Sequence, residues 1–233
     1  MPYKHASKLM AACVVCLSLA ACGNGPQANR GSETVKDVTA LAKSRLLGTK
    51  SKPKAPADPV AMVDYALRVV PDAPLQSISM EKSGGFAVLT VQGVNGRNVT
   101  WVSSEQKSIT LKAGLLTATR GFGGDVMSIE QGGAGRLVSG RRSGQVQKTY
   151  RFLDGQDQTR RFVVNCEITA SGTEHVSTGE ISALTHVMVE SCQSDGGAEF
   201  KNTYWVDASG RVVQSIQWVG PSVGTIAFRR LRF

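Results

Sequence analysis

From about Ser77 onward the apolar residues recur at every second position, a period that fits β-strands with one buried face and little else. Val99 and Trp101 alternate with Asn98 and Thr100, and Ile109 and Leu111 with Ser108, Thr110 and Lys112. Phe162, Val164, Cys166 and Ile168 alternate with Arg161, Asn165, Glu167 and Thr169. Val212, Ile216 and Trp218 form a looser set of the same kind. Between the runs stand Gly84-Gly85, Asn95-Gly96, Asp154-Gly155, Ser171-Gly172, Asp195-Gly196-Gly197 and Ser209-Gly210, turn formers that reach positive φ easily. Short strands so spaced predict an all-β fold, mainly antiparallel, either barrel-like or a sandwich.

The start of the chain obeys another pattern. Lys4 and Lys8 precede an uncharged run, Leu9 to Ala21, that is too short for the roughly 20 helical residues a bilayer requires. It ends Leu19-Ala20-Ala21-Cys22, small side chains before a cysteine, which reads as a lipoprotein signal peptide covering residues 1–21. Cys22 is then the lipidation site, its thiol receiving diacylglycerol. The C-x-x-C formed by Cys13 and Cys16 falls in the discarded segment. Several acyl chains on one cysteine give a durable anchor, so a membrane is the first expected partner. Gly23 follows the cysteine in place of the aspartate that retains lipoproteins at the inner membrane. The expected location is therefore the outer membrane, lipid-anchored and facing the periplasm.

Residues 22–59 read as a tether. Within it Val35, Val38, Ala42 and Leu46 mark one face of a short helix that Gly48 stops, and Thr49 to Pro59 interleaves Lys50, Lys52 and Lys54 with prolines as an extended linker. Asp58 then caps a second helix, with Pro59 in its first turn, an apolar stripe of Val60, Val63, Leu67 and Val70, and Pro71 and Pro74 ending it. Residues 60–233 are expected to be a single antiparallel β domain behind one or two short N-terminal helices.

Two cysteines remain besides Cys22. In an exported chain, Cys166 and Cys192 make the simplest disulfide. The chain-entropy model assigns such a loop roughly 3–4 kcal/mol of stabilisation. The rivals are free thiols and a metal site with His175 and His186, but the spacing C-x8-H-x10-H-x5-C matches no compact zinc motif. No metal and no cofactor are expected.

Two groups of motifs carry a family likeness. One is Trp101-Val-Ser-Ser, Ile109-Thr-Leu-Lys-Ala-Gly114, Leu115-Leu-Thr-Ala-Thr119 and Arg120-Gly-Phe-Gly-Gly-Asp125-Val126. The other is Tyr204-Trp205-Val-Asp, Ser209-Gly-Arg211-Val-Val-Gln-Ser215 and Gln217-Trp218-Val-Gly-Pro221 with Gly224. With the lipidation signal, their order resembles the YjbF/GfcB family of bacterial lipoproteins. The resemblance implies an outer-membrane protein tied to exopolysaccharide or capsule export, with a barrel-like antiparallel fold. It carries no catalytic residue across. The basic stretch Gly132 to Gly144 and the end Arg229-Arg230-Leu231-Arg232-Phe233 lie outside the shared pattern; the former reads as a mobile loop.

Catalytic readings fare poorly. Gly220-Pro221-Ser222-Val223-Gly224 is formally G-x-S-x-G, but neither acid nor histidine follows, and Thr225 to Phe233 reads as a strand, so the string is a turn. Gly121-Phe122-Gly123-Gly124 lacks the partners of a phosphate loop and is also a turn. Glu167, Glu174, Glu180 and Glu190 read as solvated carboxylates, and His186 as a partly buried core histidine. The catalytic set is therefore empty, and the chain reads as no enzyme.

The formal charge of +9 falls to +7 once Lys4 and Lys8 are cut away. Nucleic-acid binders share such a balance, but an exported chain meets little nucleic acid. Anionic polysaccharide, or proteins of the export apparatus, suit it better. Alternation places Trp205 with Glu199, Lys201 and Thr203, opposite Phe200, Tyr204 and Val206. Trp205 and Lys201 are thus the candidate polysaccharide contact, the indole stacking on a sugar ring and the lysine attracting its charge. Packing of Trp205 under a loop is the competing reading. The functions that remain are a non-enzymatic aid to polymer secretion or assembly, a structural envelope lipoprotein that contacts proteins alone, and a polysaccharide-processing enzyme with an unrecognised carboxylate pair.

Cys22→Ser should leave an unprocessed, unlipidated precursor. Mass spectrometry of detergent-extracted protein should find acyl mass on Cys22 as the first residue of the wild-type chain.

Overall fold

The computed structural model describes residues 58–156 and 158–233. The expected signal peptide, the expected lipidation site Cys22, the expected helix at Val35 to Leu46 and the expected Lys/Pro linker up to Ala57 lie outside the described residues. Helix α1 runs Pro59–Val69, with the Asp58 carboxylate accepting from the Ala61 N–H at 2.9 Å. Its apolar side rests on the sheet, but no residue of it is fully buried and Val60 stands 69% exposed. Among the described residues no helix is long and apolar enough to cross a membrane.

Twelve strands follow: β1 (Leu75–Met80), β2 (Phe86–Asn95), β3 (Asn98–Ser103), β4 (Ser108–Lys112), β5 (Leu115–Arg120), β6 (Val126–Glu130), β7 (Gly144–Leu153), β8 (Thr159–Thr178), β9 (Ile181–Gln193), β10 (Glu199–Val206), β11 (Val212–Gly220) and β12 (Gly224–Arg232). A short helix α2 (Ala134–Ser139) interrupts them between β6 and β7. They form one sheet in the order β5-β4-β3-β2-β1-β12-β11-β10-β9-β8-β7-β6, with every pairing antiparallel. The order is a meander closed on itself. β1 pairs β12, from Leu75 opposite Arg232 to Met80 opposite Ile226. The one gap in the ladder lies between β5 and β6, whose connection from Gly121 to Asp125 is held by the Asp125 carboxylate on the N–H groups of Gly121 and Phe122. The fold is a nearly closed antiparallel barrel, the barrel-like form of the expected all-β class, and not a sandwich.

Inward residues form two apolar zones. One gathers Ile78, Leu89, Trp101, Ile109, Val164 and Phe228, with an aromatic group of Tyr150, Phe152, Phe162, Phe200 and Trp218 in which Phe200 and Trp218 stack at 4.3 Å. The other joins Ala134 and Val138 of α2 to Leu115, Ile168, Met188, Tyr204 and Val206, so that α2 fills one barrel mouth.

A charged cluster is buried among them. Lys148 Nζ lies 3.0 Å from Glu190 Oε2, and Asn202 and the Tyr204 hydroxyl donate to the same oxygen at 2.6 and 2.8 Å. Glu190 is fully buried, not a solvated carboxylate: it sits between Met188 and Cys192 on the inward face of β9. Burial disfavours the Lys148 ammonium, but Tyr150 and Glu190 outweigh it, and its pKa lies above the ordinary lysine value. Burial, reinforced by the Glu190 charge, raises the Tyr204 hydroxyl well above its ordinary value.

Two strand readings need correction. Ser171-Gly172 is no turn. It falls inside β8, where the pairing with β9 shifts between Ala170 and Thr173 and Gly172 adopts φ 112. Such an irregularity bends a strand without ending it. On β11 the inward positions include Ser215 and Gln217, while Ile216 is 38% exposed. Gln217 turns inward because its amide serves the β4–β5 turn, accepting from Leu116 N–H at 2.8 Å and donating to the Gly114 carbonyl at 2.9 Å. Trp218 still packs in the core, beside a register shift between Trp218 and Gly220.

Lys148→Met would leave Glu190 charged, buried and unmatched, and should cost about 3–5 kcal/mol. Lys148→Met combined with Glu190→Leu should recover most of that loss. Urea unfolding of the single and double variants measures both effects.

Candidate anion-binding cleft

An antiparallel meander sends alternate connections to opposite ends of the barrel. The β2–β3, β4–β5, β6–β7, β8–β9 and β10–β11 connections and the end of β12 therefore share one end. There a cleft of about 770 Å³ opens, lined by Arg97, Arg136, Arg142, Arg211 and Arg230 together with Val99, Trp101, Leu111, Val212 and Phe233. The cleft lining contains no Asp, Glu or His.

Each arginine is delivered by a separate local device. Arg97 occupies the two-residue turn after Gly96, whose φ is 58, between the paired Asn95 and Asn98. Arg136 and Arg142 come from α2 and the residues just after it, so the stretch Gly132 to Gly144 is not a mobile loop. Ala134 and Val138 bury one side of that helix, and its other side carries Arg136 outward. α2 can press against the β10–β11 turn because that turn has glycine at its tip. A Cβ on Gly210, at φ 84, would meet the Ser139 carbonyl oxygen at 2.8 Å. Arg211 is fixed by Asp207, whose carboxylate accepts from Ser209 Oγ at 2.6 Å, Arg211 N–H at 2.9 Å and Arg211 Nε at 2.9 Å. Burial works against the Asp207 carboxylate, but these bonds prevail and hold its pKa below the usual value.

Arg230 continues the inward face of Ile226 and Phe228 into the barrel mouth. Its guanidinium stacks on Trp101 with 4.4 Å from the guanidinium carbon to the ring centre, and Arg211 lies 3.7 Å from the Phe233 ring. Burial, and then the neighbouring Arg211, push the Arg230 pKa down to about 10. Among the described residues Arg97, Arg136, Arg142 and Arg230 have no carboxylate within ion-pair distance. Two buried donors here also lack a partner, Arg230 Nε and Trp101 Nε1.

The expected site residues lie elsewhere. Cys166 and Cys192 sit opposite each other on β8 and β9 and are joined as a disulfide. Glu190 completes the one group of His, Cys, Asp and Glu at ligand distance among the described residues, and both sulfurs in it are already bonded to each other. His175 faces the Ser182 hydroxyl at 3.3 Å, and His186 is exposed, not a core histidine, because the β8 irregularity changes which β9 residues face the core. Lys201 is exposed and lines a cavity of about 830 Å³ with Gln145, Glu167, Ser191, Glu199 and Phe200.

Trp205 does point away from Tyr204, as alternation requires, but that face is covered. Only 8% of it is exposed, among Val176, Val187, Val213 and Ile181, with its Nε1–H donating to Glu174 Oε2 at 2.7 Å. The bent β8–β9 hairpin reaches across to β12, where Glu180 N–H bonds the Leu231 carbonyl and the Glu180 carboxylate pairs with Arg232. Trp205 lies beneath that hairpin and offers no open ring for stacking, so the pairing of Trp205 with Lys201 as a sugar platform is not what the fold presents.

Over residues 38–231 the sequence matches the family described as "Group 4 capsule polysaccharide lipoprotein gfcB, YjbF". The chain belongs to the YjbF family. Its barrel is similar to the hypothetical lipoprotein YmcC of Escherichia coli, at 17% identity and a TM-score of 0.63, over 70% of this chain and 85% of that one. A protein of Bacteroides fragilis with a YmcC-like fold is also similar, at 11% identity and a TM-score of 0.32, over 69% of this chain and 93% of that one. No curated protein matches the sequence. The YjbF match spans both basic segments that carry the cleft, apart from Arg232 and Phe233 at the very end.

Trp205→Ala should destabilise the fold by about 3–5 kcal/mol, the usual cost of emptying a buried tryptophan site. Trp205→Phe, which keeps most of the packing and loses the bond to Glu174, should cost less. Thermal unfolding of the two variants measures the difference.

Proposed function

We propose that this YjbF-family chain is a non-enzymatic outer-membrane lipoprotein that assists secretion or assembly of capsule or exopolysaccharide by holding the polymer. The observation that carries this reading is the cleft of five arginines without an acid or histidine in its lining. Glycoside hydrolysis needs a pair of carboxyl groups flanking the bond, commonly about 5–10 Å apart. An arginine wall supplies the opposite chemistry, attraction and hydrogen bonding without proton transfer. Family membership supports the polysaccharide link, and the leader ending at Cys22 supports a lipid anchor facing the periplasm.

Deleting the gene should stop polymer from reaching the medium or cell surface while intracellular precursor persists, and polymer chain length in any residue released should be unchanged. Fractionating polymer from deletion and complemented strains, with size analysis, tests both halves. Normal release overturns the export role, and an altered chain length overturns the non-enzymatic one.

A further inference from the structure

The arginine cleft is an unbalanced structure as it stands. Its charges come from segments far apart in sequence, so their convergence is a property of the fold and not of a basic run. Four of them lack a carboxylate partner among the described residues, and like charges gathered in one cleft repel one another. Burial, and then the neighbouring Arg211, depress the pKa of Arg230.

The inner wall holds a second, independent sign. Trp101 is only 1% exposed, yet its Nε1–H has no acceptor, and neither has Nε of the Arg230 stacked upon it. Buried donors left unpaired are costly, and two of them lie together on this wall. Trp101 Nε1 is sealed beneath Arg230, but the Arg230 guanidinium reaches the cleft, and its fork matches an oxyanion in a bidentate pair.

An apolar group stands among the charges. Phe233 is 43% exposed, with Arg211 at 3.7 Å and Arg230 at 5.7 Å from its ring centre, and half-buried Val99 also lines the cleft. A cleft of about 770 Å³ falls within the range of pockets that enclose small ligands, roughly 300–1,000 Å³. Charged donors set around an exposed aromatic ring fit a sugar ring that bears an acidic group, whose C–H face is apolar and whose substituent is an oxyanion.

We propose that this cleft binds an acidic glycan, with the oxyanion of one residue held by Arg230, Arg136 and Arg142 and the ring face against Phe233. The proposal rests on the polymer-holding reading above and names its ligand class and seat. It replaces Trp205 and Lys201 as the contact. The oxyanion chemistry is shared by lipid-borne sugar phosphates, but a recessed pocket at a barrel mouth takes a strand of polymer more readily than a flat headgroup layer.

The test uses the mature, lipidated protein in detergent, titrated calorimetrically with a size-defined oligogalacturonate, with a neutral dextran oligomer of equal length, and with lipopolysaccharide vesicles. Wild type should bind oligogalacturonate, weaken as salt rises, and ignore dextran. The exposed pair Arg136→Gln and Arg142→Gln should lower affinity by about tenfold or more while leaving the unfolding midpoint unchanged. Arg230→Gln should do the same and, by removing a buried unpaired charge, should not lower the midpoint. Arg160→Gln with Arg161→Gln, the same loss of charge at the opposite end of the barrel, should leave affinity within about twofold. Retained binding in both cleft variants, equal loss in the control pair, or binding to the vesicles alone overturns the proposal. Failure of the export role is separate: polymer released normally by the deletion strain overturns that role even where the cleft binds oligogalacturonate, and a cleft that binds nothing leaves an export defect standing.

Discussion

The pairing of β1 with β12 is the interaction on which the rest depends. It joins the first strand in sequence to the last and so unites two meanders, β1 to β5 and β6 to β12, into one sheet that curls into a nearly closed barrel with an inside. Without it β1 and β12 would each present an unpaired edge, a template for pairing with other chains. Closure also fixes where the chemistry falls. Because β12 enters the ladder antiparallel to β1, its inward row Ile226, Phe228, Arg230 runs from the apolar core out to the mouth. Its last residues meet the turns of four other hairpins there. The cleft is a consequence of that seam.

Much of the barrel was legible in the sequence because each side of a strand meets a different medium. Period-two runs identified β3, β4, β8 and the face of Trp101, and glycine-bearing turns marked most connections. Asp58 and Pro59 announced α1, and the final G-x-S-x-G string proved the turn that chain order required. The failures share a cause. Alternation tells which residues share a face, but not what lies over that face. Trp205 was correctly placed opposite Tyr204, and the covering hairpin was out of view because it depends on a bend at Ser171-Gly172 that reads like a turn.

The polar interior defeated the same rule from the other direction. Glu190 shares parity with Met188 and Cys192, and Lys148 with Tyr150, so a burial signal was present. Two opposite charges some forty residues apart carry no mark of being partners, however, and a lone inward carboxylate looks like surface. Gln217 is hidden likewise, since its partners are backbone groups of the β4–β5 turn. The arginine cleft combines both difficulties. Arg230 shares parity with Ile226 and Phe228, so a signal of its inward place was present but went unread, and Gly132 to Gly144 is basic in sequence. Their meeting is set by the closed order of strands and by α2, a helix too short for periodicity to reveal.

The two polar sites of this barrel differ in how their charges are settled, and the difference explains why only one is suited to a ligand. At Lys148 and Glu190 the opposite charges are paired, and Asn202 and Tyr204 add hydrogen bonds to the same carboxylate oxygen, so the cluster ties β7, β9 and β10 together. Breaking such a set is costly because either half alone is a buried charge. At the mouth the arrangement is reversed. Asp207 binds the turn that presents Arg211, but no carboxylate serves Arg230, Arg136, Arg97 or Arg142 among the described residues, and water does not reach Arg230 Nε or Trp101 Nε1. Stability is therefore held in the middle of the barrel while its end carries uncompensated donors. Charge gathered in this way from separate segments attracts an anion before any contact is made, and the unpaired guanidinium groups then have hydrogen bonds left to give it.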